Sequence, residues 1–147
     1  MKKIIILILL LILGQQIFAQ KYPIKGDLNS SSQNTLGYEI LEEIEMGISN
    51  SKISAISPHL SSQIYLSFLN GVSGYYSANQ AYYVLENFLN EYKVISFRFS
   101  SFNFNTVTPF AKGTYFYEYK GNRSEAKVYL TMKLTGKSWE ITQISIN

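Results

Sequence analysis

Residues 77–92, SANQAYYVLENFLNEY, decide the fold. Ser77 stands three residues before Gln80. At this capping-box spacing the hydroxyl accepts the Gln80 amide proton while the Gln80 side chain reaches back. Ala81, Val84, Leu85, Phe88, Leu89 and Tyr92 then recur at three- and four-residue intervals, on one side of a helix of about four turns. Glu86, Asn87, Asn90 and Glu91 fall mostly on the other side. Just upstream, Ile64, Leu66 and Phe68 alternate with Tyr65 and Ser67. Asn70-Gly71 follows, a strong hairpin signal, because a type I′ turn needs positive φ at both central positions. A hairpin therefore feeds a capped helix, and the apolar side of that helix needs a sheet to lie on.

The chain has 147 residues and opens with Lys2 and Lys3 before an unbroken apolar run from Ile4 to Leu13. That run suits the core of a signal peptide and is too short to span a bilayer. Ala19 fits the −1 position and Ile17 the −3 position, so cleavage is expected between Ala19 and Gln20. The expected organisation is a signal peptide at 1–19, a flexible leader at 20–34 and one domain at 35–147. Loss of Lys2 and Lys3 takes the formal charge from +3 to +1. The basic character is thus largely that of the signal, and nucleic acid is not an expected partner. Without cysteine the exported chain folds without disulfides and has no site for a lipid-modified N-terminal cysteine. The expected location is the periplasm or the medium, with no lipid anchor and no membrane insertion after cleavage.

The leader KYPIKGDLNSSSQN is polar, with Pro, Gly and a serine run. From Leu36 the pattern turns helical, with Leu36, Ile40, Leu41, Ile44 and Ile48 as the stripe. Glu39, Glu42, Glu43 and Glu45 lie outside it. They read as a solvated face whose charge suits a helix N-terminus. A hard cation needs ligands converging from several directions, so no metal site is expected. Ser51 is placed to cap a short helix at 52–57, which Pro58 stops. Further on, Phe97 and Phe99 share one strand face and Phe102 and Phe104 share the other. An extra residue near Ser100-Ser101 would bring all four inward, as a β-bulge that bends and twists the strand. A strongly curved sheet follows.

Two later hairpins can be registered from their turns. Centring one on Gly121-Asn122 sets Tyr119 opposite Ser124, Tyr117 opposite Ala126 and Tyr115 opposite Val128. One face then holds Gly113, Tyr115, Tyr117, Val128 and Leu130, and the other Thr114, Phe116, Glu118, Lys127 and Tyr129. Centring the next on Gly136-Lys137 pairs Leu134 with Trp139, Met132 with Ile141 and, across the back, Lys133 with Glu140. The last strand has two phases. With a bulge near Gln143, its isoleucines enter the core. Without one, Gln143 and Ser145 face the concave side, and Ile144 and Ile146 join Phe116 and Tyr129 in an outer apolar patch. The unbulged phase is the expectation, and such a patch marks an interaction surface.

The residues Ile64–Phe68, Gly74-Tyr75-Tyr76-Ser77, Gln80-Ala81, Phe88, Phe97, Gly113-Thr114-Tyr115 and Trp139–Ile146 carry a resemblance that covers Leu36–Asn147. The pattern resembles the nuclear transport factor 2-like (cystatin-like) fold. More narrowly, it resembles an uncharacterised domain family of small exported Bacteroidota proteins. The resemblance implies an α+β cone, with two or three N-terminal helices packed on a strongly curved antiparallel sheet. It also implies a pocket between helices and sheet, and homodimers formed through the sheet. It brings no catalytic motif.

Chemistry is sparse. General acid–base work needs a group of tuned pKa at the reacting atom. The sole histidine, His59, follows Pro58 with no carboxylate placed nearby in sequence to orient it, so it reads as a surface or capping residue. Asp27, the only aspartate, falls in the leader, and Glu118 and Glu140 fall on the back face. One histidine and no cysteine argue against zinc. Gly71-Val72-Ser73-Gly74 lacks nucleophile-elbow spacing, and no phosphate-binding glycine loop is present. No catalytic residue, metal or cofactor is assigned.

What remains is a concave set of Phe97, Phe99, Tyr115, Tyr117, Val128, Leu130, Trp139 and Gln143. These either fill the cone or line a pocket for a small apolar or amphipathic ligand. The expected function is an exported non-enzymatic binding or interaction domain, a homodimer through Phe116, Tyr129, Ile144 and Ile146. The alternatives are an isomerase- or hydratase-type enzyme using Tyr115 or Tyr117 with an unidentified acid, and a carbohydrate-binding module presenting coplanar tyrosines.

Overall fold

A computed structural model describes residues 28–147, of which Ser32–Asn147 form one compact unit. Helix α1 is Leu28–Ser49, α2 is Ile53–Ile56, a 3-10 turn follows at Ser57–His59, and α3 is Ala78–Glu91. The strands are β1 Leu60–Phe68, β2 Ser73–Ser77, β3 Lys93–Asn103, β4 Phe110–Tyr119, β5 Asn122–Thr135 and β6 Ser138–Ile146. The signal peptide and its cleavage site lie outside the described residues. The end of the expected leader is helical, because α1 starts at Leu28.

The cap of α3 forms as its sequence dictates. The Gln80 N–H donates to Ser77 Oγ at 3.4 Å, and the Ser77 N–H donates to Gln80 Oε1 at 3.0 Å. Ala81, Leu85, Phe88, Leu89 and Tyr92 are buried, and Val84 packs at their margin. In α1 the buried stripe is Leu41, Ile44 and Ile48, while Leu36 is exposed. Gly37 takes the inward position because the Phe104 ring presses on it: a Cβ there would stand 2.7 Å from that ring.

The hairpin before α3 differs from a type I′ turn. The Gly71 N–H donates to Phe68 O and the Phe68 N–H to Val72 O, closing a three-residue loop in which Gly71 alone has positive φ. Between β4 and β5 the register is Tyr119 with Asn122, Tyr117 with Ser124 and Tyr115 with Ala126, so Lys120-Gly121 is the turn. Both turn residues have positive φ, 50° and 79°, as type I′ geometry requires. The register differs by two residues from the one centred on Gly121-Asn122, so the two faces keep their members. Leu134–Trp139, Met132–Ile141 and Lys133–Glu140 pair as read, the last with a 3.2 Å ion pair.

The six strands form one curved sheet in the order β2-β1-β6-β5-β4-β3. The sheet is mixed, not wholly antiparallel: β6 ends the β3–β6 meander beside β1 and runs parallel to it. Ser100 is the extra residue of a bulge between Phe99 and Ser101, where the four phenylalanines required one. Ile95 forms a second bulge, between Val94 and Ser96. Thr142 is extra in β6, between Ile141 and Gln143. That last bulge corrects the unbulged reading. It turns Ile144 and Ile146 inward, where both are buried.

Candidate functional site

The concave side is built from the inward positions of β3–β6 under α1 and α3. Phe97, Tyr115, Val128, Leu130 and Trp139 are buried, and Phe99 and Tyr117 are half-buried. Their rings pack on one another and on helix residues. Phe97 meets Phe99 at 4.8 Å, Trp139 meets Phe104 at 5.0 Å, and Tyr115 lies 6.0 Å from Phe88. Two of the polar tips are engaged internally: Tyr115 OH donates to Tyr92 O, and Trp139 Nε1 donates to Gln33 O at 2.9 Å. Burial pushes the Tyr115 phenol well above the ordinary range, so it stays a neutral donor. Gln143 is not part of this set. The Thr142 bulge places it on the outer face, where Nε2 donates to Ser145 Oγ at 3.0 Å.

Among the described residues, no carboxylate is buried. Three serve folding or tethering roles, two of them with partners that their sequence neighbours do not reveal. Glu45 Oε2 accepts the Phe99 N–H at 2.8 Å. Glu43 Oε2 lies 2.8 Å from His59 Nε2, so this histidine does have a carboxylate partner, and the pair ties the 3-10 turn to α1. A depression of about 410 Å³ lies beside that tie, lined by Glu43, Met46, Asn50, Lys52 and Pro58 among others. Glu140 is held by Lys133.

The outer face carries an open groove. At the β3 bulge a groove of about 610 Å³ is lined by Ile95, Ser96, Phe116, Arg123, Ser124 and Glu125. Ile95 is 48 % exposed and Phe116 42 %. The bulge is what puts Ile95 there, since Ser96 is the residue that pairs with Phe116. The bulge lets Val94 and Phe97 both face inward, which an odd spacing permits only if the strand gains a residue. Of the four expected interface residues, Phe116 is exposed, Tyr129 is half-buried, and Ile144 and Ile146 belong to the core.

Other outer tyrosines do not form a flat platform. Tyr65 meets Tyr75 with ring planes at 64°, and Tyr82 meets Tyr83 at 75°. Near the β4–β5 turn Tyr119 stacks on Tyr92 at 4.5 Å. Its hydroxyl, bonding Lys120, raises that ammonium's pKa.

Three helices against a curved six-stranded mixed sheet define a nuclear transport factor 2-like α+β domain. A family model described as a domain of unknown function, DUF4783, matches residues 41–147, and the chain belongs to that family. Its fold matches a DUF4783 family protein from Bacteroides uniformis at TM-score 0.65 and 17 % identity, over 72 % of this chain and 94 % of that one. A nuclear transport factor 2-like protein of unknown function from Shewanella oneidensis matches at TM-score 0.57 and 12 % identity, over 77 % and 97 %. A putative scytalone dehydratase from Novosphingobium aromaticivorans matches at TM-score 0.60 and 8 % identity, over 80 % and 85 %. At these identities the likeness is one of fold. No curated protein matches the sequence.

Proposed function

We propose that this is an exported, non-enzymatic interaction domain that meets its partner with the outer face of the sheet. One observation carries the reading: Ile95 and Phe116 are exposed side by side over an open groove, while the concave aromatics pack on one another, with the polar tips of Tyr115 and Trp139 engaged. Exposed apolar residues gathered at a groove favour contact with another molecule. The signal-like N-terminus supports a periplasmic or secreted location.

A second copy meeting the same groove, giving a homodimer, is the second reading. It draws support from Phe116, the one clearly exposed residue of the four expected at an interface. The isomerase or hydratase reading gains no support from Tyr115, whose hydroxyl is already donated to Tyr92 O. Nor does 8 % identity to a putative dehydratase add to it. A neutral-sugar stacking module would need coplanar rings; the Tyr65–Tyr75 and Tyr82–Tyr83 pairs meet edge to face, and the near-parallel Phe110–Tyr129 pair lies under Lys112.

Light scattering on the exported protein, wild type beside Phe116→Asp, tests the reading. The wild type should carry a partner, as a second copy or as added mass, and Phe116→Asp should not. A wild type that carries nothing, or a variant that carries the same partner, contradicts it.

A further inference from the structure

The charges of the described chain are sorted by layer. Helices α1 and α3 carry Glu39, Glu42, Glu43, Glu45, Glu86 and Glu91 and no Lys or Arg. Strands β3–β6 carry Lys93, Arg98, Lys112, Arg123, Lys127 and Lys133 against Glu118, Glu125 and Glu140. Those three carboxylates each lie by a cation: Arg123 at 3.8 Å, Lys127 at 2.9 Å and Lys133 at 3.2 Å respectively. Arg98 and Lys112 have no ion pair among the described residues.

These two unpaired cations are neighbours. Arg98, Thr114 and Lys127 form one row across β3, β4 and β5, and Lys112 pairs with Tyr129 in the next row on the same face. Lys127 Nζ donates to Thr114 Oγ1 at 3.4 Å. Lys112 Nζ stands 5.1 Å from the Phe110 ring centre and 5.9 Å from that of Tyr129, held by cation–π attraction. Three cations and the single carboxylate of Glu125 therefore gather around Thr114 on the outer face. The Tyr129 row continues across β6 and β1 as Ser145 and Ser67. Ser145 is buried in that row, so the hydroxyl-bearing residues part-exposed on this face are Thr114, Tyr129 and Ser67.

We infer that this basic strip seats an acidic polysaccharide, laid across the strands with its carboxylate or sulfate groups on Arg98, Lys112 and Lys127. The inference rests on the outer-face reading above and names the partner. Charge complementarity selects an anion. The acidic helices on the other side of the domain turn the basic face toward it. The part-exposed hydroxyls of Thr114, Tyr129 and Ser67, with Phe110 and Tyr129 half-covered and topped by Lys112, suit a hydroxylated chain better than the interior of a lipid layer. Recognition is then by charge and hydrogen bonds, not by ring stacking.

The test is binding of the exported protein to polygalacturonate and to heparin by affinity electrophoresis, with dextran as the neutral polymer and polyglutamate as a polyanion that is not a saccharide. Wild type should be retarded by the two acidic polysaccharides, progressively less as salt is raised, and not by dextran. Arg98→Glu/Lys112→Glu should weaken this by about tenfold or more, and Lys112→Arg should keep it. No retardation of the wild type, or equal retardation of the double variant, overturns the proposal. Equal retardation by polyglutamate overturns the saccharide assignment. Should the double variant instead dissociate a wild-type oligomer that no polymer retards, the cations meet the acidic helices of a second copy, and the proposal also fails. If polymer binding is absent but a partner dependent on Phe116 persists, the polysaccharide is wrong and the outer-face reading stands.

Discussion

The Glu45 carboxylate accepts the backbone N–H of Phe99 at 2.8 Å, linking α1 to β3 across 54 residues of sequence. Strand β3 is an edge of the sheet, and its unpaired backbone groups would otherwise be open to pairing with another chain. Glu45 covers one, and Ser49 Oγ, one helical turn later, donates to Phe97 O at 3.2 Å. Glu45→Ala should cost about 1–3 kcal/mol, as expected when a charged acceptor is removed from a part-buried donor. Glu45→Gln retains a carbonyl acceptor and should lose less. Urea denaturation of the two variants checks the order.

Much of this arrangement is legible in the sequence where the signal is local. Ser77 and Gln80 announce the cap of α3, and the odd spacing of the phenylalanines demands the Ser100 bulge. Gly136-Lys137 sets the β5–β6 register by turn geometry alone. Long-range pairing left no such mark. Nothing near His59 points to Glu43, nothing near Phe99 points to Glu45, and the parallel seating of β6 beside β1 depends on the whole meander. In the last strand, Ile144 and Ile146 alternate equally well in either phase. Only burial against the core selects the bulged one. The same limit applied to the site, because Ile95 reaches the outer groove through a bulge at an edge strand.

Ile144 is a core residue, so its substitution tests folding and not association. Ile144→Ala should destabilise by about 2–5 kcal/mol, and Ile144→Lys should prevent stable folding because a buried unpaired charge is costly. Phe116→Lys, at an exposed position, should leave the thermal midpoint nearly unchanged. Thermal denaturation followed by circular dichroism separates these outcomes.

Gly113 is set by a close approach between strands. A Cβ on it would stand 2.5 Å from Arg98 O and 2.9 Å from the Phe97 ring. The first of these neighbours is backbone and cannot swing away. Gly113→Ala should therefore cost about 1–3 kcal/mol through overpacking, although alanine favours no other conformation there. Denaturant titration measures the loss.

Tyr115 predicts an alkaline limit. Its folded pKa is raised by burial above the ordinary value of about 10. The folded state therefore holds this proton more tightly than the unfolded state. The stabilisation is fully present below pH 10 and is lost as pH rises above it. Tyr92 is raised too, first by burial and then by Glu91, and acts in the same direction. Tyr115→Phe should cost about 0.5–1.5 kcal/mol at neutral pH through the lost bond to Tyr92 O. It should also flatten the decline of stability between pH 10 and 12, as read from urea midpoints.

The most direct measurement is native mass spectrometry of the protein released gently from its own compartment, comparing wild type, Phe116→Asp and Tyr115→Phe. The account predicts a wild-type species heavier than the bare chain that Tyr115→Phe keeps and Phe116→Asp loses. A bound mass that survives Phe116→Asp and disappears with Tyr115→Phe would place the partner in the cone and contradict the account.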